Sequence, residues 1–457
     1  LNGRIGCSNY SGNADVLVVR KVFKTRLNSR INQRIKMSLQ NNINLDAKKI
    51  LLINDKGNYT IPTDGLYPFQ WNWDSAFAAY GFAQFDIPRA WKELETLFSA
   101  QWNNGMVPHI IYHQVDDSYF PGPNIWKGIG PIPSSGITQP PVVASLMKKI
   151  WELDTNYGNE QIRLLFPKVL KWHRWFMQWR FQEGLVFINH PWEAGRDNAP
   201  DWDSALAAIN PAGVAPYKRR DTEHVNPLMR PTKADYDRYI WLVQQGRECK
   251  WNADWLRKNS SFKVADPAMH FILLRANRDL RLIGINLEED ISEIDSWIAS
   301  LEKGASKLWN ASISSYDSLD LLNFNFAGSI SSASFMCWYA GLYDKRMLTH
   351  YDRIMKKVKY GMPSYDPESK RFDRKRYWRG PSWAIMNMLI GFGLEEVGEV
   401  ERASLLQAQT NRAISENGFA EYFDPIDGSP AGGNTFTWTA AVWLGWAKTL
   451  GGTNGFN

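Results

Sequence analysis

Apolar residues recur at steps of three and four along almost the whole chain, and this spacing places them on one face of an α-helix. The pattern predicts helices at 73–85, 89–102, 142–153, 162–179, 236–245, 269–284, 291–309, 333–343, 347–359, 382–398, 404–418 and 435–450. Strands are hard to find in the sequence, and the best candidate for a short one is 185–190, LVFINH. The chain is therefore predicted to be all-α.

Long loops rich in Gly, Pro and aromatic residues separate these helices. They cover 58–72, 103–126, 129–141, 190–204, 376–382 and 419–433. Loops longer than about 12–15 residues are uncommon unless they serve a function. Because they alternate with helix pairs, we expect a ring of helix pairs with the loops gathered around a pocket at one end. No low-complexity linker divides the chain, so residues 37–457 are predicted to form a single domain.

The formal charge of +6 is concentrated at the start of the chain. Residues 1–36 hold eight Lys and Arg against one acid, Asp15, which leaves residues 37–457 with a charge of −1. A near-neutral body gives no electrostatic footprint for nucleic acid. The basic leader is similar in composition to a transit peptide, or Met37 is the true start. Both interpretations are open, and residues 1–36 are left out of the fold prediction.

Several other classes of protein lack support in the sequence. The three cysteines are too scattered for a disulfide framework or a metal knuckle. No apolar run reaches the roughly 18 residues of a transmembrane helix. There is no glycine-rich phosphate loop, GxSxG elbow or HExxH zinc motif. We expect a protein of the cytoplasm, with organelle import by residues 1–36 left open, and no metal, cofactor or membrane partner.

Acids within the aromatic loops are the candidates for chemistry, since glycoside hydrolysis needs two carboxyl groups beside the scissile bond. In WEAGRDNAPDWD (192–203), Glu193, Asp197, Asp201 and Asp203 are crowded into one turn. Crowded acids beside apolar rings can keep one carboxyl group protonated near neutral pH, as a general acid requires. The alternative is that Asp197 and Asn198 cap the turn and the helix that follows.

Two further loops combine acids with aromatic rings. Glu421 stands alone between aromatic residues in FAEYFDP (419–425), where it meets a polar ligand or pairs with an arginine. In YPFQWNWDSAF (67–77), Asp74 caps a helix or accepts hydrogen bonds from sugar hydroxyls. Trp71 beside it can stack on a pyranose face. The 22 Trp, 18 Tyr and 22 Phe of the chain suit sugar binding, but they also suit a large helical core.

Arginines beside tyrosines form the last candidate group. Arg230 precedes Tyr236 by six residues, and RYWRGPSW (376–383) carries further arginines beside aromatic rings. A buried Arg beside Tyr hydroxyls suits a carboxylate-bearing ligand. A surface Arg that pairs with nearby acids is the simpler interpretation of each position alone.

Seven motifs of the chain, taken in their order, resemble glycoside hydrolase family 63. They are YPFQWNWDS, GMVPH, YFPGPNIW, GITQPP, WEAGRDNAPDWD, YWRGPSW and FAEYFDP. The resemblance runs from about Tyr67 to the C-terminus, and the compact length is similar to that of the mannosylglycerate and glucosylglycerate hydrolases. It implies an (α/α)6 barrel and inverting hydrolysis of a small α-linked glycoside. No cofactor is implied.

The resemblance also implies roles for individual residues. Asp197 matches the general acid and Glu421 the general base, with their carboxyl groups ~6.5–9.5 Å apart to admit a water molecule. The positions that match the sugar site are Trp71, Asp74, Trp378 and Trp383. The positions that match the side chains holding a glycerate are Tyr67, Tyr119, Gln139, Arg230, Tyr236 and Tyr377.

One departure from the family pattern lies next to the acid. The turn reads Ala194, Gly195, Arg196, where the family more often has Ser-Gly-Met. A cation beside Asp197 would lower its pKa, which is the wrong direction for an acid. Arg196 is therefore expected to point away, or to pair with Glu193 or Asp201.

The expected function is hydrolysis of 2-O-α-mannosyl- or glucosyl-D-glycerate, a small-molecule partner. One alternative is an α-glucosidase or α-mannosidase that acts on neutral di- or oligosaccharides. A second is a carbohydrate-binding protein that kept the fold but lost turnover, which the presence of both acids disfavours. The sequence leaves glucose or mannose specificity and the oligomeric state, including a homo-oligomer, open.

Overall fold

A computed structural model of the chain describes residues 42–448. The leader predicted at 1–36 lies outside the described residues, and the single domain predicted for 37–457 stays a prediction. The chain divides into a unit of residues 1–46 and a unit of residues 47–457. The first unit is described only at residues 42–46, which are helical. The second begins with the helical segment 47–53, here α1.

The remaining α-helices follow in chain order. They are α2 (Asn72–Phe82), α3 (Ile87–Ser99), α4 (Pro123–Trp126), α5 (Val143–Leu153), α6 (Thr155–Trp179), α7 (Asp203–Ala207), α8 (Asp221–His224), α9 (Lys233–Glu248), α10 (Ala253–Asn259), α11 (Pro267–Asn286), α12 (Ser292–Ala305), α13 (Met336–Tyr339), α14 (Arg346–Met355), α15 (Ala384–Glu396), α16 (Val400–Asn417) and α17 (Thr437–Val442). Single 3₁₀ turns lie at Pro191–Ala194, Pro200–Trp202, Pro227–Met229, Ser306–Leu308, Ser332–Phe335 and Tyr377–Arg379. A π-helical turn covers Trp443–Ala447.

Short strands connect the helices. They are β1 (Gln70–Trp71), β2 (Ile110–Ile111), β3 (Phe181–Gln182), β4 (Leu185–Ile188), β5 (Val264–Ala265), β6 (Trp309–Asn310), β7 (Ser315–Tyr316), β8 (Leu319–Asp320), β9 (Tyr422–Phe423) and β10 (Pro430–Ala431). Strands β3, β4, β5 and β8 form one antiparallel sheet in that order, and the others pair as β1–β2, β6–β7 and β9–β10. The strand predicted at 185–190 is confirmed as β4.

Six helices form a closed ring within the second unit. Helix α2 packs on α5, α5 on α11, α11 on α13, α13 on α15, α15 on α17, and α17 on α2 again. A second layer packs against these, with α3 on α2, α6 on α5, α12 on α11 and α16 on α15. Helix α14 packs on the 3₁₀ turn that leads into α13. This double ring confirms the (α/α)6 barrel implied by the resemblance.

Sequence pattern decides which helices form the inner ring. Helices α2 and α17 are buried at every residue, as expected for helices covered on all sides. Helix α14 buries only Met347, Tyr351, Ile354 and Met355, at steps of three and four, and therefore belongs to the outer layer. The helix predicted at 333–343 is divided into a 3₁₀ turn and the short α13, so periodicity located the element but not its bounds.

We expect the approach of α2 to α17 to depend on Gly81. A Cβ atom built on Gly81 would lie 2.6 Å from Cβ and 2.8 Å from Cα of Ala441, so a side chain there forces the helices apart. Gly81→Ala should lower the free energy of unfolding by about 1–3 kcal/mol, the usual cost of overpacking. Denaturant unfolding measures it. Gly122→Ala is the control, because its Cβ would meet nothing closer than 3.9 Å at an ordinary φ of −82°. Equal effects of the two substitutions would contradict this account.

Candidate active site

A cavity open to solvent, with about 670 Å³ of free space, is formed by the loops that precede the inner helices. Ten of the twelve side chains predicted for the site line it: Tyr67, Trp71, Asp74, Tyr119, Gln139, Asp197, Arg230, Tyr236, Tyr377 and Glu421. The chain thus brings residues from both ends of its sequence to one cavity.

The N-terminus of α2 carries two of these residues. Trp71 pairs with Ile110 in the β1–β2 ladder and is the residue at which α2 begins. Asp74 lies in the first turn of α2, where the positive end of the helix dipole favours a carboxylate. Burial nevertheless raises the pKa of Asp74 well above its usual value, and the negative charges of Glu421 and Asp197 raise it further.

Asp197 lies in a loop between two 3₁₀ turns and is half-buried. Its backbone oxygen accepts hydrogen bonds from Trp202 Nε1 and from the Tyr239 hydroxyl, both at 2.9 Å. Burial raises the pKa of the Asp197 carboxyl group to about 7, against the opposing effect of the Arg230 charge. A carboxyl group with this pKa carries a proton for a large part of the time at neutral pH.

The other acids of the crowded turn are neutralised by arginines. The pairs are Glu193 with Arg180 at 2.8 Å, Asp201 with Arg196 at 3.6 Å, and Asp203 with Arg379 at 2.8 Å. Within residues 42–448, Asp197 makes no salt bridge. It is not a helix cap either, because Ala199 occupies the N-cap position of the 3₁₀ turn Pro200–Trp202, and no side chain caps this turn. The capping alternative for Asp197 is therefore wrong.

Glu421 lies just before β9 and is 1% exposed. Its Oε1 accepts a hydrogen bond from the Tyr67 hydroxyl at 3.1 Å, and its Oε2 accepts one from the Gly433 N–H at 3.2 Å. Arg230 Nη1 lies 3.6 Å from Oε1. Burial raises the pKa of Glu421, but the Arg230 charge and the two donors act in the opposite direction. The charge of Arg230 supports the ionised forms of both acids, but Glu421 also has a close ion pair and two hydrogen-bond donors from other residues.

Gly432 lets the hairpin of β9 and β10 close over Glu421. Its φ is +74°, a left-handed conformation that glycine adopts without strain. A Cβ atom at this position would lie 2.1 Å from Glu421 Oε2. The glycine-rich part of the loop is thus required by the position of the acid.

Arg230 is a buried cation of the cavity, 5% exposed. Its Nε pairs with Asp221 at 3.0 Å, its Nη2 donates to the Tyr67 hydroxyl at 2.7 Å, and its guanidinium lies 4.1 Å from the Tyr377 ring centroid. Its Nη1 is buried and makes no hydrogen bond with any described residue. A buried cation whose Nη1 lies 3.6 Å from Glu421 Oε1 but makes no hydrogen bond is suited to bind an anionic group.

Two predicted ligands have other partners. The Tyr236 hydroxyl donates to the backbone oxygen of Phe120 at 3.0 Å, so its proton is not directed at the cavity. Gln139 accepts a hydrogen bond from the Trp73 backbone N–H at 3.2 Å through its side-chain oxygen. The pairing of Arg230 with Tyr236 predicted from sequence is replaced by a pairing of Arg230 with Tyr67.

Trp378 and Trp383 do not line the cavity, contrary to their predicted place as its aromatic walls. Their rings stack on each other at 3.8 Å, and each is 1% exposed. Trp378 packs on Trp73 and Trp383 on Trp438, at ring distances of 6.2 and 5.6 Å. Trp73 and Trp438 line the cavity, so the predicted pair forms a second layer behind them.

Sequence reasoning missed several residues that line the cavity. Trp73 and Trp192 lie inside motifs that were identified, but neither ring was selected. His109 stacks on Trp192 at 6.1 Å, and burial lowers its pKa well below the usual value, which leaves a neutral imidazole. Nothing in the sequence marks Asp221 as a cavity residue. It accepts hydrogen bonds from Arg219 and Arg230, and this contact is seen only in the structure.

The departure at Arg196 is resolved by the structure. Arg196 pairs with Asp201, as one expectation had it, and more closely with Asp266, at 2.7 Å. It does not pair with Glu193, which is held by Arg180. Its charge is therefore matched by two acids other than Asp197.

None of the helices within residues 42–448 has the length and apolarity of a bilayer-spanning segment. This part of the chain also brings together no group of three or more His, Cys, Asp or Glu side chains that could hold a metal ion.

Comparison with known proteins gives matches that cover most of the chain. A family model for the mannosylglycerate hydrolase MGH1-like glycoside hydrolase domain matches residues 67–439. The mannosylglycerate hydrolase of Thermus thermophilus is 40% identical over 415 residues, which cover 88% of this chain and all of the relative. The glucosylglycerate hydrolase of Mycolicibacterium hassiacum is 33% identical over 434 residues, 88% of this chain and 96% of the relative.

A solved structure has the same fold. It is a GH63 mannosylglycerate hydrolase from Thermus thermophilus in complex with Tris and D-glycerate, which superposes with a TM-score of 0.86 at 40% identity. The match covers 88% of this chain and 99% of that one. The family match, the identity over nearly whole chains and the shared fold show that this chain belongs to the mannosylglycerate hydrolase MGH1-like glycoside hydrolases of family GH63.

Proposed function

We propose that the protein hydrolyses 2-O-α-mannosyl-D-glycerate or 2-O-α-glucosyl-D-glycerate with inversion, and releases the free sugar and glycerate. One observation carries the proposal. Asp197, Glu421 and the buried Arg230 line the same cavity, and the Nη1 of Arg230 makes no hydrogen bond with a described residue. The names of the Thermus and Mycolicibacterium relatives and the D-glycerate complex support the choice of substrate.

In the proposed reaction, Asp197 donates its proton to the glycosidic oxygen as the bond to the anomeric carbon breaks. Glu421 takes a proton from a water molecule that attacks the same carbon from the opposite face. The carboxyl groups are expected ~6.5–9.5 Å apart to admit this water. The proton balance closes, because Asp197 loses one proton and Glu421 gains one before exchange with solvent.

The surroundings of the two acids support this assignment. Burial raises the pKa of Asp197 to about 7, and no salt bridge within residues 42–448 stabilises its ionised form. Glu421 is held by Arg230, Tyr67 and Gly433, three groups that oppose the rise in its pKa that burial causes. Pairs of carboxyl groups whose environments differ in this direction are typical of a general acid and a general base.

The two ends of the substrate have different surroundings. We propose that Arg230 Nη1 holds the glycerate carboxylate, and that the Tyr67 hydroxyl, which accepts a hydrogen bond from Arg230 Nη2, holds the guanidinium in place. Asp74 and the rings of Trp71 and Trp73 would surround the sugar, with Trp378 and Trp383 supporting them from behind. The expected cytoplasmic location and a homo-oligomeric state stay predictions.

The rate should depend on pH through Asp197. Because the acid must be protonated, kcat/KM should fall above pH ~7, by about tenfold per unit at higher pH. This fall is measured as kcat/KM on glucosylglycerate and mannosylglycerate between about pH 5 and pH 9, roughly the range in which the acid titrates. Asp197→Asn should abolish it and lower kcat by about 10²–10⁴-fold. A rate that stays constant or rises above neutral pH would be incompatible with this acid.

Glu421→Gln separates catalysis from binding. The substitution keeps the size of the side chain but removes the base, so kcat should fall by about 10²–10⁴-fold while the substrate still binds. Release of free sugar measures turnover, and proton NMR of the first product should show the β-anomer in the wild type. Wild-type protein that binds the glycoside without releasing sugar would favour the non-catalytic alternative.

Arg230→Met tests the carboxylate site. It should raise KM for the glycerate glycosides about 10–100-fold more than for a neutral α-disaccharide, because a hydrogen bond to a charged group contributes about 1.5–3 kcal/mol. The neutral substrate corrects for the contact of Arg230 with Glu421. Arg220→Met, an exposed neighbour, is the matched control. An equal loss on charged and neutral substrates would instead favour an enzyme for neutral oligosaccharides.

A further inference from the structure

Arg196 stands directly before the proposed acid and is buried, with 1% of its surface exposed. Its Nη2 lies 2.7 Å from Asp266 Oδ1 and 3.6 Å from Asp201 Oδ1. Its Nη1 donates to the Ser331 hydroxyl at 3.4 Å. A buried cation persists only when its charge is matched, and here two acids match it.

Both acids are fixed to elements of the ring and its loops. Asp266 begins α11 and accepts a hydrogen bond from the Met269 N–H at 3.2 Å. Asp201 Oδ1 accepts hydrogen bonds from Ser331 at 2.9 Å and from Ser318 at 3.3 Å. Arg196 thereby attaches the acid-bearing loop to the N-terminus of an inner helix, 70 residues away in sequence.

The same guanidinium also contacts a ring that is hydrogen-bonded to the backbone of Asp197. It lies over the ring of Trp202, 4.9 Å from the centroid, and Trp202 Nε1 donates to the Asp197 backbone oxygen at 2.9 Å. The Tyr239 hydroxyl donates to the same oxygen at 2.9 Å. The residue before the acid and the carbonyl of the acid are therefore both held, so the carboxyl group has little freedom to shift.

The turn that precedes the acid is closely packed at Gly195. Gly195 has a φ of +65°, and a Cβ atom on it would lie 2.5 Å from the ring of Trp73. Gly195 thus packs closely against Trp73 on one side of Arg196, and Asp197 follows Arg196 directly on the other.

We propose that Arg196, through its ion pair with Asp266, is a positioning residue that holds Asp197 at the glycosidic oxygen. The proposal rests on the role of Asp197 as general acid given above. It predicts a specific kind of defect. A misplaced acid harms only the step in which the leaving group must be protonated, and it spares the attack of water activated by Glu421.

Two substrates distinguish these steps. The glycerate of the glycoside would leave as an alkoxide unless its glycosidic oxygen is protonated. The α-glycosyl fluoride of the same sugar, in contrast, releases fluoride with little help from an acid. In Arg196→Met, kcat on the glycerate glycoside should fall about 10–100-fold, since general acid catalysis contributes about 10²–10⁴-fold in total. On the fluoride it should fall by less than about threefold, because the base-assisted step is intact.

Three further variants complete the design. Asp197→Asn is the reference and should show the same selectivity more strongly. Arg196→Lys keeps the charge and should restore most of the rate on the glycoside. Asp266→Asn removes the partner charge while keeping the side-chain size, and should reproduce the selective loss. It also provides the test if Arg196→Met does not fold, which thermal unfolding of each variant establishes.

The outcomes separate this proposal from the one on which it rests. If Asp197→Asn loses no more on the glycoside than on the fluoride, Asp197 is not the general acid. If Asp197→Asn is selective but Arg196→Met and Asp266→Asn lose both activities equally, or lose neither, the positioning role of Arg196 is overturned. Selective loss in all three supports it.

Discussion

The charge of Arg230 is the interaction on which the cavity depends. Asp74, Asp197, Asp221 and Glu421 all line this cavity, and burial alone would favour their neutral forms. Arg230 pairs with Asp221 at 3.0 Å and lies 3.6 Å from Glu421, while Asp197 makes no salt bridge within residues 42–448. One unevenly shared cation thus gives chemically similar carboxyl groups different surroundings, as the proposed division into an acid and a base requires.

The double ring supplies the rigidity that this arrangement needs. The loops of the cavity lead into the N-termini of inner helices, so Trp71 stands at the start of α2 and Trp383 at the start of α15. Close helix approaches such as that at Gly81 leave the ring little freedom to deform. Buried ion pairs then fasten the loops to the ring, as Arg180 does for Glu193 and Arg196 for the neighbouring turn. Functional groups on loops are positioned by such a scaffold.

Periodicity located the helices, and the motifs that resemble a known family indicated the barrel and ten of the residues that line the cavity. They could not decide which ring of a motif faces the cavity. Trp71 and Trp73 are two residues apart, and both line it, whereas Trp378 points into a second layer. Contacts between distant residues were beyond sequence reasoning as well. Asp266, the partner of Arg196, lies 70 positions away in a helix cap that looks structural in sequence.

The arrangement of charge also bears on how a ligand would be oriented. An anionic group is repelled where the cavity presents an ionised carboxylate, and among the described lining residues it is attracted to Arg230, whose Nη1 makes no hydrogen bond. A glycerate glycoside can satisfy this Nη1 and direct its sugar toward Asp74 with one orientation. A neutral disaccharide of similar size offers only hydroxyl groups to the buried guanidinium, and incomplete pairing of such a group is costly. Discrimination by an unmet polar group is stronger than discrimination by shape, so the same cation that separates the two acids would also select the substrate.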